Sequence, residues 1–395
     1  MLHEVIVVGA GQAGITLAYS LQRLGVPYVM LERDRAFASW HNRWDGFRAN
    51  TPNWMNTLPV LGTSQVPGND PRGFATREEL IDYFEQCLEA VRPRVTTGTT
   101  VHRIAQCEDG TWTVHAGRQV YQTRNVAVCT GAMSAPWRPR LSADIPSSVP
   151  QLHSSDYRRP EQIATRSVLL VGSGSSGVQI CRLLVESGRF DAIHIATSDV
   201  LVLPRRLLGV QIHRLLHVLG FFDVRKDSLR GKLMYAMLDS RGDPITRPTP
   251  RDMAAKHGVL LHGRLMGVDG DVLRFAGGSA LGTGNLTILW CTGFRADYSF
   301  IEARSGDAFM RGSGAPNHVR GVVAAAPGLY FVGLRYQYTV ASHDIYGVGM
   351  DAKFVAEHIC QRQQSRLDNV NRAHELMEDM KDKKAIVGRL STRED

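Results

Sequence analysis

The sequence predicts a doubly wound α/β protein with two dinucleotide-binding domains, the second inserted in a discontinuous first. Three observations predict it. Two glycine turns of the form GxGxxG stand far apart in the chain, Gly9-Ala10-Gly11-Gln12-Ala13-Gly14 and Gly172-Ser173-Gly174-Ser175-Ser176-Gly177. Each follows a short apolar run and precedes a stretch with helical apolar spacing. The first unit closes on Glu32, about 20 residues beyond the glycines, where such folds carry the acid that hydrogen-bonds an adenosine ribose. Units of this kind are Rossmann-like.

Val5–Val8 reads as a strand buried on both faces. Gly9 allows a tight turn, Gly11 lets backbone approach a pyrophosphate, and Gly14 lets the next helix pack closely. That helix spans Ile15–Leu24, with Gly25 as its cap and Pro27 preventing its resumption. Val26–Leu31 is the second strand. Phe37–Arg48, dense in aromatic and polar groups, suits a loop along a bound cofactor or a plain surface loop. Thr76–Ala90 reads as a helix whose capping box is Thr76 with Glu79. Val95–Val120 reads as an antiparallel meander, and Asn125–Cys129 as a buried strand running into Thr130-Gly131. Ser142–Pro150 reads as linker.

The second unit repeats the first. Val168–Val171 is its strand, Val178–Glu186 its helix with Gly188 as cap, and Ala192–Ala196 the following strand. Thr197 and Ser198 stand where the first unit has its acid, and Asp199 follows. Leu203–Arg241 reads as a helical insertion, its leucines at mixed helical spacing. It can cover a substrate entrance, contact a second subunit in a homodimer, or pack as core. Leu260–Leu289 is β-rich and returns through Cys291-Thr292-Gly293-Phe294. Leu329–Val332 is a last buried strand, Gly349–Gln361 a helix, and the charged tail from Ser365 a solvated extension.

Composition bounds the function. A chain of 395 residues can bury two cores, and 43% hydrophobic with 21% charged residues is ordinary for a globular protein. The net charge of +8 is dispersed, without basic runs interleaved with aromatics, so nucleic acid is not an expected partner. The six cysteines contain no CxxC pair, which argues against a disulfide framework, a metal site and a redox dithiol. A cytoplasmic protein is expected, without a leader segment and without a membrane span.

Two such units imply two nucleotides, most simply a flavin and its electron donor. The first, with Glu32, suits FAD. The second lacks a ribose acid, which leaves room for a 2′-phosphate and favours NADPH, with Arg205 and Arg206 as phosphate partners and Asp199 opposing them. Electrons then pass from nicotinamide to flavin and onward. A missing CxxC disfavours a disulfide as acceptor; a quinone, a protein or O2 remain.

Further residues carry a family resemblance. They are His153-Ser154-Ser155-Asp156-Tyr157-Arg158-Arg159-Pro160 ahead of the second glycine turn, the hinges Thr130-Gly131 and Cys291-Thr292-Gly293-Phe294, and Gly328-Leu329-Tyr330-Phe331-Val332-Gly333. On these the chain resembles the class B flavin-dependent monooxygenases: flavin-containing monooxygenases, their bacterial single-chain relatives, plant indole-pyruvate monooxygenases and, more distantly, Baeyer-Villiger monooxygenases. It departs from them in having Ser148-Val149-Pro150 where the family has an FxG.

The resemblance implies an FAD domain in 1–152 and 293–395, a linker at 153–166, and an NAD(P)H domain at 167–292 with the insertion 203–241. It implies that His153 orients the linker and that Asn50, in Phe47-Arg48-Ala49-Asn50-Thr51-Pro52, donates to oxygen bound at the flavin or to NADP+. Gln12, Arg33, Trp40 and His41 resemble flavin contacts, and Val101 resembles the residue whose backbone meets adenine. Asp351 opens a helix whose amino end faces the flavin pyrimidine. In Tyr336–Tyr346, His343, Asp344 and Tyr346 replace the small or apolar residues of relatives. They can bind a polar substrate, His343 can act as a base, or the segment is a polar surface loop. The implied reaction is NADPH- and O2-dependent: a C4a-(hydro)peroxyflavin passes one oxygen to nitrogen or sulfur of a small-molecule substrate. Alternatives are Baeyer-Villiger or oxidative-decarboxylating oxygenation, and an NAD(P)H:acceptor flavoprotein reductase.

Overall fold

The computed structural model describes residues 1–62, 64–198, 200–241 and 244–391. Its first sheet has eight strands. Strand Leu2–Val8 lies between Tyr28–Leu31 and Gln119–Val128 and runs parallel to both. Val5, Ile6 and Val7 are fully buried, so the apolar run faces core on both sides. Val101–Gln106, Trp112–Ala116 and Gln119–Val128 form the expected antiparallel meander. The chain then leaves this sheet and returns only at Ile301–Glu302 and Leu329–Phe331, which adds beside Gln119–Val128.

The residues in between build a second, five-stranded parallel sheet. Its order is Leu260–His262, Ala192–Ala196, Ser167–Val171, Leu286–Trp290 and Gln151–His153. One Rossmann-like unit is thus inserted in the other. Gln151–His153, which the sequence assigns to the end of the first unit and the start of the linker, pairs with Leu286–Trp290 in the second sheet.

Local signals hold at most helix ends. Helix Arg77–Val91 carries the Thr76–Glu79 capping box, with Thr76 Oγ1 accepting from Glu79 N–H. The helices after the glycine turns span Gln12–Arg23 and Ser175–Ser187. The last helix runs from Val348 to Ser391, well past Gln361, and its start packs on helix Gln12–Arg23.

The insertion departs from expectation. Residues 202–211 form short strands, including a hairpin of Arg206–Leu207 with Val210–Gln211. Leu208 and Gly209, both at positive φ, make its two-residue turn. Leucine spacing alone does not separate a hairpin from a helix. The helices are Ile212–Val218 and Leu229–Arg241.

Both glycine turns are closed by the same contacts. A Cβ on Gly14 would lie 1.9 Å from the Gly9 carbonyl oxygen, and one on Gly177 2.1 Å from that of Gly172. Both neighbours are backbone and cannot yield. Gly14→Ala and Gly177→Ala are each expected to lower the melting midpoint by more than about 5 °C, measured by scanning calorimetry.

Candidate cofactor clefts and active site

Each glycine turn rests on a threonine-glycine hinge. Gly9 packs against the Cys129 carbonyl, ahead of Thr130-Gly131, and Gly172 packs against that of Cys291, ahead of Thr292-Gly293. The middle glycines differ from their neighbours: among the described residues, a Cβ on Gly11 or Gly174 would meet nothing within 4 Å. Both cap helix amino ends with no side-chain partner. Two open, amide-lined helix starts in one chain suit two pyrophosphates.

In the first unit, Glu32 accepts from the N–H groups of Ala10 (2.7 Å) and Asp34 (3.0 Å), so its carboxylate fixes the turn from behind. Ala13 is buried under Gly333, where a Cβ would stand 3.0 Å from it. Gln12 spans the cleft. Its Oε1 accepts from Trp40 Nε1 at 2.9 Å, and its Nε2 donates to the His343 carbonyl at 3.1 Å. Gln12, Trp40 and His343 are thus brought together. The Thr130 hydroxyl is buried and, among the described residues, has no partner, which suits a ligand. Val101 opens its strand two residues beyond Thr99, whose N–H donates to the Glu32 carbonyl. Arg33 is exposed, and His41 is half-buried beside Arg35 and Glu85. Burial holds the His41 imidazole below its usual value.

In the second unit, Ser173 Oγ accepts from Ser198 N–H, and Thr197 donates through N–H and Oγ1 to the His262 carbonyl. Ser175 and Ser176 open helix Ser175–Ser187. Arg205 lies over Phe74, 5.3 Å from its ring centroid, and beside His213. Arg206 is exposed in the hairpin. Asp199 lies outside the described residues.

His153 is buried at the end of its strand. Its Nε2–H donates to the Gly293 carbonyl at 3.0 Å, and its Nδ1 accepts from Ser155 N–H at 3.1 Å. Burial keeps its pKa below the ordinary imidazole value. It therefore holds the second hinge as a neutral ring, and Thr292 Oγ1 holds the Trp137 carbonyl from the same turn.

Asn50 is exposed and docks on the second unit: its Oδ1 accepts from Gln179 Nε2 at 2.9 Å. The insertion docks on the first unit. Lys226 N–H donates to the Tyr338 carbonyl, Arg225 pairs with Thr339, and the Tyr346 hydroxyl meets His217 Nδ1 at 3.2 Å. His343 has an 11% exposed side chain whose Nδ1 has no hydrogen-bond partner among the described residues, and it stands edge-on to Tyr336.

Two residues of this region carry no sequence signal. Gln179 is one. The other is Arg320, which lies between the rings of Tyr338 and Phe354 and reaches Asp351 at 3.5 Å. Asp351 is 1% exposed in the first turn of the last helix and also faces Ser342. Burial raises its pKa to about 6, with Ser342 and Arg320 pulling it down.

An oxidoreductase of the CzcO-like type from Geobacillus kaustophilus is 30% identical over 358 residues, 90% of this chain and 98% of that protein. The chain belongs to the CzcO-like oxidoreductases. Residues 6–199 of this family member also match the pyridine nucleotide-disulphide oxidoreductase family. A probable indole-3-pyruvate monooxygenase, YUCCA4 of Arabidopsis thaliana, is 31% identical over 179 residues, 44% of this chain and 42% of that one. The fold is also that of the Kutzneria sp. 744 ornithine N-hydroxylase, solved with reduced FAD, NADP+ and L-ornithine. The TM-score is 0.70 at 16% identity, over 92% of this chain and all of that one. Among the described residues no helix is long and apolar enough to cross a membrane.

The raised Asp351 pKa fixes the sign of a pH effect. The folded state binds this proton more tightly than the unfolded chain, so the group's contribution to stability is full below its ordinary 3.8 and lost as pH rises through about 6. Asp351→Asn should raise the melting midpoint of the cofactor-free protein at pH 7.5 and leave it unchanged near pH 4, as followed by circular dichroism.

Proposed function

We propose that this CzcO-like oxidoreductase is an FAD-dependent monooxygenase that uses NADPH and O2 to oxygenate a small molecule, at nitrogen or sulfur. The observation that carries the reading is the pair of matched glycine turns in one chain, each with an open middle glycine, a bare helix start and a threonine-glycine hinge. The indole-pyruvate monooxygenase match and the ornithine hydroxylase fold support it. The divisions 1–152 with 293–395 for FAD, 167–292 for NADPH, and 153–166 as linker belong to the same proposal.

Bound FAD, reduced by NADPH, supplies the electrons that let O2 give one oxygen atom to substrate and the other to water. The protein's part is holding and shielding. The amides after Gly11 and Gly174 receive the two pyrophosphates. Glu32 keeps the first turn closed and presents its carboxylate edge to the adenosine ribose. Gln12 ties Trp40 to the His343 carbonyl and so sets the walls of the first cleft. Asn50 is a neutral donor, which can hold a bound oxygen without protonating it and releasing hydrogen peroxide. His153 fixes the hinge between the two clefts and, being neutral and saturated, hands no proton to substrate. The orphan His343 Nδ1 awaits a polar substrate group. A reducing cytosol fits six free cysteines.

Two experiments test this. Gly11→Ala and Gly174→Ala should leave the cofactor-free melting midpoint within about 2 °C, because both sites have space and negative φ, yet weaken FAD and NADP+ binding respectively by at least about tenfold. Turnover under labelled O2 with candidate amines and thioethers should put one labelled oxygen in the product for each NADPH consumed. Flavin reduction with electrons passed to a quinone and no label in product would sink the reading.

A further inference from the structure

The amide of Gln179 makes three hydrogen bonds to one short stretch of the first unit. Its Oε1 accepts from Arg48 N–H at 3.2 Å, its Nε2 donates to the Arg48 carbonyl at 3.0 Å, and the same Nε2 donates to Asn50 Oδ1 at 2.9 Å. The backbone of Arg48 settles which end of Gln179 is which. A main-chain N–H can only donate and a carbonyl can only accept, so the nitrogen of Gln179 must sit beside the Arg48 carbonyl. The atom of Asn50 that meets this nitrogen must then be its oxygen. Asn50 Nδ2 is left pointing away, and among the described residues it has no partner.

The stretch is held from other sides too. Asp45 N–H donates to the Arg158 carbonyl of the linker. Gly46 sits against Leu183, where a Cβ would come within 2.8 Å of Cδ2. Gln179 and Leu183 lie one turn apart on the same face of helix Ser175–Ser187. That helix begins at the second glycine turn, so the segment bearing Asn50 rides on the element that starts at the second cleft.

We propose that Gln179 is a positioning residue: it takes up the oxygen of the Asn50 side chain and thereby turns the Asn50 nitrogen, a pure donor, toward the bound nicotinamide and flavin. This rests on the monooxygenase reading of Asn50. The acceptor is a neutral oxygen, on the carboxamide of NADP+ or on the oxygen being transferred. An Asn50 free to rotate would offer its carbonyl half the time, and a carbonyl repels both.

A double-mutant cycle on the FAD-loaded protein tests this, read by NADP+ affinity from titration of the flavin spectrum and by hydrogen peroxide released per NADPH. Gln179→Glu keeps the acceptor for Arg48 N–H but has no donor for Asn50, so Asn50 must reverse. It should weaken NADP+ binding about tenfold, the worth of one hydrogen bond, and raise the peroxide ratio several-fold. Asn50→Ala should do the same, and the double variant no more than either single, because Gln179 acts only through Asn50. A purely structural role for Gln179 would instead add to the Asn50→Ala effect. Should Gln179→Glu lower the melting midpoint, Gln179→Met, which keeps the volume and removes the amide, decides in the same cycle. Wild-type affinity and peroxide ratio in the Gln179 variant, or losses that multiply in the double variant, overturn the assignment. Labelled-oxygen incorporation by wild type is measured alongside. Its absence overturns the oxygen-transfer reading and this inference with it, whereas incorporation by wild type together with wild-type NADP+ affinity and peroxide ratio in the Gln179 variant overturns the role of Gln179 alone.

Discussion

The structure depends on two places where backbone meets backbone with no room for a side chain. At Gly9 with Gly14, and again at Gly172 with Gly177, a helix is drawn so close to its strand that a carbonyl oxygen occupies the space a Cβ would need. This approach aims the first amides of each helix out of the carboxyl edge of each sheet. Everything proposed for the two clefts follows from that aim, since amides at a helix start attract anions whatever the chemistry next door. The hinges at Thr130-Gly131 and Thr292-Gly293 continue the strands against which the glycines press, so cleft wall and cleft floor are one covalent unit.

Between the two clefts the structure spends its polar side chains on orientation. Gln12, His153 and Gln179 each hold main-chain atoms from distant parts of the chain. Their amide and imidazole groups have fixed donor and acceptor ends, so each settles one geometry and rejects the reverse. A catalyst that must keep a reactive oxygen from leaking away has reason to use neutral groups of this sort. Two acids are engaged within the protein itself: Glu32 accepts from the amides of its own turn, and Asp351 is buried beside Arg320.

What could be read beforehand was local. The glycine turns, the Thr76–Glu79 capping box and the meander carry their signal within about 30 residues, because residue type and spacing show inside each unit; the packing of Gly9 on Cys129 and of Gly172 on Cys291 does not. Asn50 and His153 were found through resemblance, not physics; nothing in Ala49-Asn50-Thr51 shows what the side chain meets. Gln179 carries no signal because its partner Arg48 lies 131 residues away, and the Arg320–Asp351 contact, though nearer in the chain, leaves no periodic trace. The start of the insertion differs from its expected helix for another reason. Leu207, Leu208 and Val210 satisfy a helical pattern as well as a hairpin, and only the positive φ at Leu208 and Gly209 separates them.

The insertion also fastens the molecule a second time. Lys226 and Arg225 join the 338–339 segment, while the Asn50 segment is gripped by Gln179. Neither fastening lies within a single sheet. An engineer who exchanged the second unit for one from a distant homologue would remove both clasps at once. The transplanted unit would need its own loop near 225 and its own amide near 179 to restore them.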